Sequence, residues 1–200
     1  MTAVFIPHTS LLQCHPETGR SPAHSIEVNL CLTRDGTLAL SYVLKGAIDC
    51  LKIPPPQPAR KADHLWQHTC FEAFISVEHK PVYYEFNFAP SGEWAVYAFQ
   101  SYRNREPLAD ESLAPGIVVR RDENSLALDA LVRLVRLPKL DMRSRLRVGL
   151  SAVIEENDGV LSYWALKHPP GKPDFHHPDN FALEIEPGLQ TVNESAIDKQ

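Results

Sequence analysis

Glu72 and Glu85 sit in two runs, LWQHTCFEAFI (65–75) and YYEFNFAPSGEW (83–94), that both read as β-strands. Carboxyl groups on neighbouring strands can stand roughly 5–10 Å apart, the separation at which glycoside-cleaving enzymes hold their acid and base. Chance pairs reach that separation too, so hydrolysis is one reading among several. The same runs carry Trp66, His68, Asn87 and Trp94. Indole rings stack on the apolar faces of sugars, while carboxylates, amides and imidazoles exchange hydrogen bonds with hydroxyl groups. This is the chemistry of a site for a small polar ligand. Arg103, just after the second run, can clamp a carboxylate or phosphate bidentately or serve in a surface ion pair.

A late run, YWALKHPPGKPDFHH (163–177), adds Trp164, His168, Lys172, Asp174, His176 and His177. Histidines beside an aspartate use the vocabulary of metal ligands. Adjacent histidines on one loop seldom bind one ion, however, and a helical HExxH pattern is absent. Loop caps or donors at a pocket rim are the better assignment, and the prolines stiffen the segment into a candidate lid. A haem would need an axial His or Met, and a His/Met pair would rest on Met142. No cofactor is expected. No glycine-rich phosphate loop, GxSxG elbow or Cys-His pattern is present, and a binding role is favoured over catalysis.

The totals narrow the classes. With 200 residues, 44% hydrophobic content and no stretch of 18 apolar residues, the chain reads as a globular protein that does not span a membrane. A net charge of −5 argues against nucleic acid as a partner. The first residues lack the basic start and apolar run of a signal peptide. Cys14, Cys31, Cys50 and Cys70 form no CxxC pair, so buried reduced thiols in a cytoplasmic protein are expected. Oligomeric state is left open.

The elements that must position these residues are strands. Runs 26–32 and 37–44 flank Arg34-Asp35-Gly36, a hairpin signal. Residues 45–63, with Pro54, Pro55, Pro56 and Pro58, cannot continue a sheet. Strands follow at 66–77, 83–89, 94–100, 117–121, 126–134, 146–155, 160–166 and 181–186. Further hairpins are expected at 122–124 and 157–159. Many short strands without an amphipathic helix imply one antiparallel β-sandwich over 1–190, with 191–200 a disordered tail.

Strand alternation then assigns faces. Phe71, Ala73, Ile75 and Val77 share the core with Tyr84, Phe86 and Phe88. Read with a two-residue turn at Ser91-Gly92, the next strand sends Ala95, Tyr97 and Phe99 to the core and Trp94 to the other face. The mixed face then holds Trp66, His68, Glu72, Glu85, Asn87 and Trp94. The 157–159 hairpin similarly places Tyr163 with Leu150, Ala152 and Ile154, and Trp164 and His168 on the other face. A ligand platform, a sheet covered by loops, and a protein interface can each explain such a face.

The segments LWQHTCFEAFI, YYEFNFAPSGEWAVYAFQSYR and YWALKHPPGKPDFHH resemble those of bacterial DOMON-like domain proteins, which are distantly similar to family 9 carbohydrate-binding modules. The resemblance runs over about 26–185. It implies a jelly-roll-like β-sandwich, a pocket on one sheet that takes a sugar (haem in some DOMON domains), and no established catalytic activity. It also implies that Trp66 and Trp94 are sugar-stacking rings and that Glu72, Glu85, Asn87 and Arg103 hold hydroxyl groups.

Overall fold

The computed structural model describes residues 8–109 and 111–186. The expected tail at 191–200 lies outside the described residues. The described residues form twelve strands: β1 (His8–Cys14), β2 (Ala23–Leu32), β3 (Thr37–Gly46), β4 (Cys70–Val77), β5 (Tyr83–Phe88), β6 (Trp94–Ser101), β7 (Asn104–Glu106), β8 (Gly116–Arg121), β9 (Ser125–Arg133), β10 (Leu146–Glu155), β11 (Leu161–Ala165) and β12 (Leu183–Ile185). Among the described residues there is no α-helix, only short 3-10 turns.

Every pairing between these strands is antiparallel, in the order β7-β6-β5-β4-β10-β11-β1-β2-β3-β9-β8. β12 pairs with β10 beyond the end of β11. β1 joins the two halves: His8–Leu12 pair with β2, while Gln13 and Cys14 pair with Ala165 and Trp164 of β11. The sheet folds back on itself into a sandwich. The Tyr42 ring on β3 lies 5.1 Å from Phe71 on β4, and its hydroxyl donates to the Glu72 carbonyl at 2.8 Å. Between the halves are Leu30, Leu40, Leu44, Ile75, Phe86, Val148, Leu150 and Ile154.

Three hairpins turn through the same three-residue loop. Gly36, Gly92 and Gly159 take φ of 76°, 91° and 90°, and each donates its N–H to the residue three places earlier. This is a type I turn closed by a left-handed glycine. Pro90-Ser91-Gly92 is therefore one residue longer than the two-residue turn read from the sequence. With an odd loop, even-numbered residues face even-numbered ones: Phe88 pairs with Trp94, and Ala152 with Trp164. The expected faces of β6 and β11 are thus reversed. Trp94 and Trp164 enter the core, and Ala95, Tyr97, Phe99 and Tyr163 turn outward beside Glu85 and Asn87.

Two further expectations change. All four cysteines are free, but only Cys70 is buried; Cys14 and Cys31 are half-buried and Cys50 is exposed. Met142 lies in the inter-sheet core, not in a site.

Tyr42→Phe is expected to lower the free energy of unfolding by about 1–2 kcal/mol, because it removes the buried O–H donor to the Glu72 carbonyl without leaving a cavity. Denaturant titration reads this directly; an unchanged midpoint would mean that the bond does not couple the two halves.

Candidate functional site

The outward face of β4, β5, β6, β10 and β11 is not left to solvent. β4 and β5 are buried along their whole length. Two segments cover this face: 64–69, entering β4, and 168–181, following β11. Their Leu65, Phe175 and Phe181 join Phe74, Tyr83, Tyr97, Phe99 and Val153 in a second hydrophobic cluster. Between the two covering segments a cleft of about 670 Å³ stays open. Its floor holds Glu72, Phe74, Glu85 and Val153. Tyr97, Phe99, Tyr163 and Phe175 wall it, and Trp66, Gln67, Arg103, Arg105 and Lys172 reach its mouth.

Antiparallel register brings the two carboxyls together. Glu72 faces Asn87 on one side and Ser151 on the other, while Glu85 faces Phe74 and Tyr97. Glu72 and Glu85 are therefore diagonal neighbours on one face, a relation that spans about 7–8 Å. Only 2% of Glu72 and 5% of Glu85 remains exposed. Ser151 Oγ donates to Glu72 Oε2 at 3.3 Å, and Asn87 Nδ2 to Glu85 Oε1 at 2.7 Å. Cys70 Sγ lies 3.6 Å from Asn87 Oδ1 and completes the support of that amide.

Burial dominates the acidity of both groups. It pushes Glu72 well above the usual carboxylate range, and the Glu85 charge pushes it further, against the Ser151 hydrogen bond. Burial lifts Glu85 to about 7, against the Asn87 hydrogen bond and the charges of Arg105 and Arg103. Carboxyls this deep at neutral pH hold a proton between them more readily than they hold two negative charges.

His176 belongs to the same site. The Arg103 backbone N–H donates to the Tyr83 hydroxyl at 3.0 Å, and that hydroxyl pairs with His176 Nδ1 at 2.9 Å. The other ring nitrogen, Nε2, faces Glu85 Oε2 at 3.6 Å. Burial, followed by the Arg103 charge, pulls His176 down to about 4, so the imidazole is neutral at pH 7.

The late loop, a candidate lid, is tied down at several points and walls the cleft. His168 Nε2 meets the Gln13 carbonyl at 2.8 Å, and His15 Nε2 meets the Gly171 carbonyl at 3.0 Å. Asp174 accepts from Arg103 Nη2 at 2.7 Å and from the Tyr102 hydroxyl at 2.5 Å. Burial opposes the charge on Asp174, but the Tyr102 and Arg103 bonds outweigh it and keep the carboxyl below its usual range. His64 and Arg103, both at the cleft, take left-handed φ of 62° and 55°. Non-glycine residues seldom adopt that conformation, and it gathers at sites where surrounding structure imposes it.

The sequence-based candidates now divide. Trp66, Glu72, Glu85, Arg103, Lys172 and His176 line the cleft. Asn87 and Asp174 stand behind it, holding Glu85 and Arg103. The others lie elsewhere. Trp94 and Trp164 are in the core because the three-residue turns reverse their faces, and Trp164 Nε1 is satisfied by Ser162 Oγ at 3.1 Å. His68 is turned to Glu155 Oε2 at 2.7 Å, beside Lys52. His168 packs on His15 with ring centres 4.8 Å apart. His177 caps the turn at Pro178–Asn180 by accepting the Asp179 N–H. Trp66 reaches the mouth from a 3-10 turn, Leu65–Gln67, rather than from a strand.

The residues that sequence reasoning placed elsewhere or passed over are Tyr97, Phe99, Tyr163, Phe74, Phe175 and Arg105. The signal for the first three was the glycine closing each three-residue hairpin. Arg105 had no such signal; its guanidinium lies 3.8 Å from the centre of the Tyr97 ring and within 3.9 Å of Asp63. Among the described residues, no group of three or more His, Cys, Asp or Glu side chains is placed to hold a metal ion.

Glu85→Gln is expected to stabilise the protein at pH 8 but not at pH 4. Below 4.5 the glutamate is protonated in both folded and unfolded chains. Between 4.5 and about 7 the unfolded chain ionises while the folded one resists, so stability falls as pH rises, by about 3 kcal/mol in all. Glutamine keeps the Asn87 hydrogen bond and removes the penalty. Thermal unfolding of both proteins across this range tests the point, and equal melting temperatures at pH 8 would contradict it. His176 acts in the opposite sense, costing stability as pH falls from 6.5 towards 4.

No family model matches the chain, and no curated protein matches it. Among solved structures it is similar to a "putative carbohydrate-binding protein" from Bacteroides uniformis ATCC 8492, with a TM-score of 0.62 and 15% identity over 86% of this chain and 83% of the other. At that identity the likeness is one of fold: the chain shares the β architecture of that protein.

Proposed function

We propose that this protein is a non-catalytic sugar-binding module of the DOMON-like, family 9 carbohydrate-binding type, and that the cleft on its outer sheet face is the binding site. The observation that carries this reading is the cleft's composition. A cavity of about 670 Å³, walled by Tyr97, Phe99, Tyr163 and Phe175 and floored by two carboxyls, fits a ligand that is apolar on its faces and hydroxylated at its edges. Trp66, at the mouth with 47% of its surface exposed, offers a ring to the outer part of the ligand. The quoted segments resemble DOMON-like domains, and the similarity to a solved protein with a carbohydrate-binding name supports the same class.

The preorganised surroundings favour binding over a moving active site. The late loop is tied to β1, β5 and the β6–β7 turn, so little side-chain freedom remains to be lost when a ligand enters. One observation favours a second reading, glycoside hydrolysis: Glu85 ionises near neutrality beside a second carboxyl, as a general acid must. Turnover of nitrophenyl glycosides that disappears in Glu72→Gln would establish it.

Calorimetric titration with a panel of mono- and disaccharides tests the proposal. At a hundredfold excess over Kd, a bound sugar adds about 2.7 kcal/mol of stability and raises the melting temperature by several degrees. Trp66→Ala is expected to weaken binding about tenfold or more. His68→Ala, whose side chain is engaged with Glu155 outside the cleft, should leave it unchanged. A panel with no binding sugar would sink the reading.

A further inference from the structure

The floor of the cleft holds two carboxyls whose ionised form the protein does little to compensate. Among the described residues, Glu72 accepts one side-chain hydrogen bond, from Ser151 to Oε2, and its other oxygen has no donor. Glu85 accepts from Asn87 on Oε1, and its Oε2 has only His176 Nε2 at 3.6 Å, too long for a hydrogen bond. One oxygen of each carboxyl is thus left for something in the cleft. Among the described residues no Lys or Arg makes an ion pair with either carboxyl, although Arg105 and Arg103 act on Glu85 from a distance. Arg103 is committed to Asp174, Arg105 lies over the Tyr97 ring near Asp63, and His176 is uncharged. Lys172, which has no ion-pair partner among the described residues, stays out at the mouth.

We propose that the ligand is an amino sugar, bound with its protonated amine between Glu72 and Glu85. This rests on the sugar-binding reading and names the class of sugar. A neutral hydroxyl can donate one hydrogen bond to this floor but brings no charge. An ammonium has three donors to share between the two carboxyls and cancels the charge that burial otherwise opposes. The walls agree with this choice, since aromatic faces attract a cation through their quadrupole, and Phe74, Tyr97 and Phe99 stand around the floor. An anionic substituent would meet the carboxyls and be repelled. Burial makes Glu72 and Glu85 weaker acids than usual, which describes the same unmet demand for positive charge.

Calorimetry at pH 7 separates the possibilities, with glucosamine and galactosamine measured beside glucose, galactose, N-acetylglucosamine, glucuronic acid and n-butylammonium chloride. An amino sugar is expected to bind about tenfold or more tightly than its neutral parent, the gain of a charge-assisted hydrogen bond over a neutral one. N-acetylation should abolish that gain. Glu72→Gln and Glu85→Gln should each reduce the amino sugar to the level of its parent while the parent still binds. Neutral parents that bind as tightly, or glucuronic acid binding more tightly, overturn the amine seat and leave the sugar reading standing. Binding of n-butylammonium with no sugar of any kind overturns the sugar reading instead. If nothing binds, both fail. The ligand comparison needs only the unaltered protein, so it does not depend on how any variant folds.

Discussion

Removing two carboxyl groups from water on adjacent strands is the costliest thing this structure does, and much else is arranged around it. Glu72 and Glu85 could sit on a solvated sheet face at almost no cost. They are buried because segments 64–69 and 168–181 close over that face and build a second apolar cluster there. The sheet is therefore covered on both sides at β4 and β5, and its outer face has the burial of a core with the polarity of a surface. Asn87 and Ser151 soften the cost without cancelling it, since each offers a hydrogen bond but no charge. A floor of this kind leaves one oxygen of each carboxyl without a hydrogen bond from the described residues.

The wall opposite shows the complementary device. Asp174 is fully answered by Arg103, Tyr102 and the His176 N–H, and these bonds tie the late loop to the β6–β7 turn. Arg103 has a left-handed backbone, its N–H meets the Tyr83 hydroxyl, and that hydroxyl in turn holds the His176 ring. A surface ion pair contributes little to stability. Here it orients a loop, and the orientation is what the cleft requires.

Much of the architecture was legible in the chain. Alternation in 26–32, 37–44 and 126–134 marks strands with one wet face, and β4 and β5 were placed with the correct inward residues. β1 escaped because only Leu12 of its seven residues is buried, so it carries no periodic signal even though it joins both halves. The faces of β6 and β11 both turn on loop length, whose parity decides which side every later residue takes. Pro90-Ser91-Gly92 holds one residue more than the two-residue reading, while the loop 157–159 has the length read from the sequence but, being odd, pairs Ala152 with Trp164 and does not put it on the face of Tyr163. Of the site, Glu72, Glu85, Asn87 and His176 could be found from residue type and strand context. Arg105 could not, because its place is set by the short strand β7, three residues with no pattern to read.

The distribution of the three tryptophans has an optical consequence. Trp94 and Trp164 are each only 5% exposed, whereas Trp66 is 47% exposed at the mouth of the cleft. Emission from the two buried indoles falls at the blue side of the spectrum and is indifferent to what happens in the cleft. The red-shifted component belongs to Trp66. The unlabelled protein therefore carries its own reporter, in which one edge of the fluorescence band follows the cleft and the other follows the integrity of the fold.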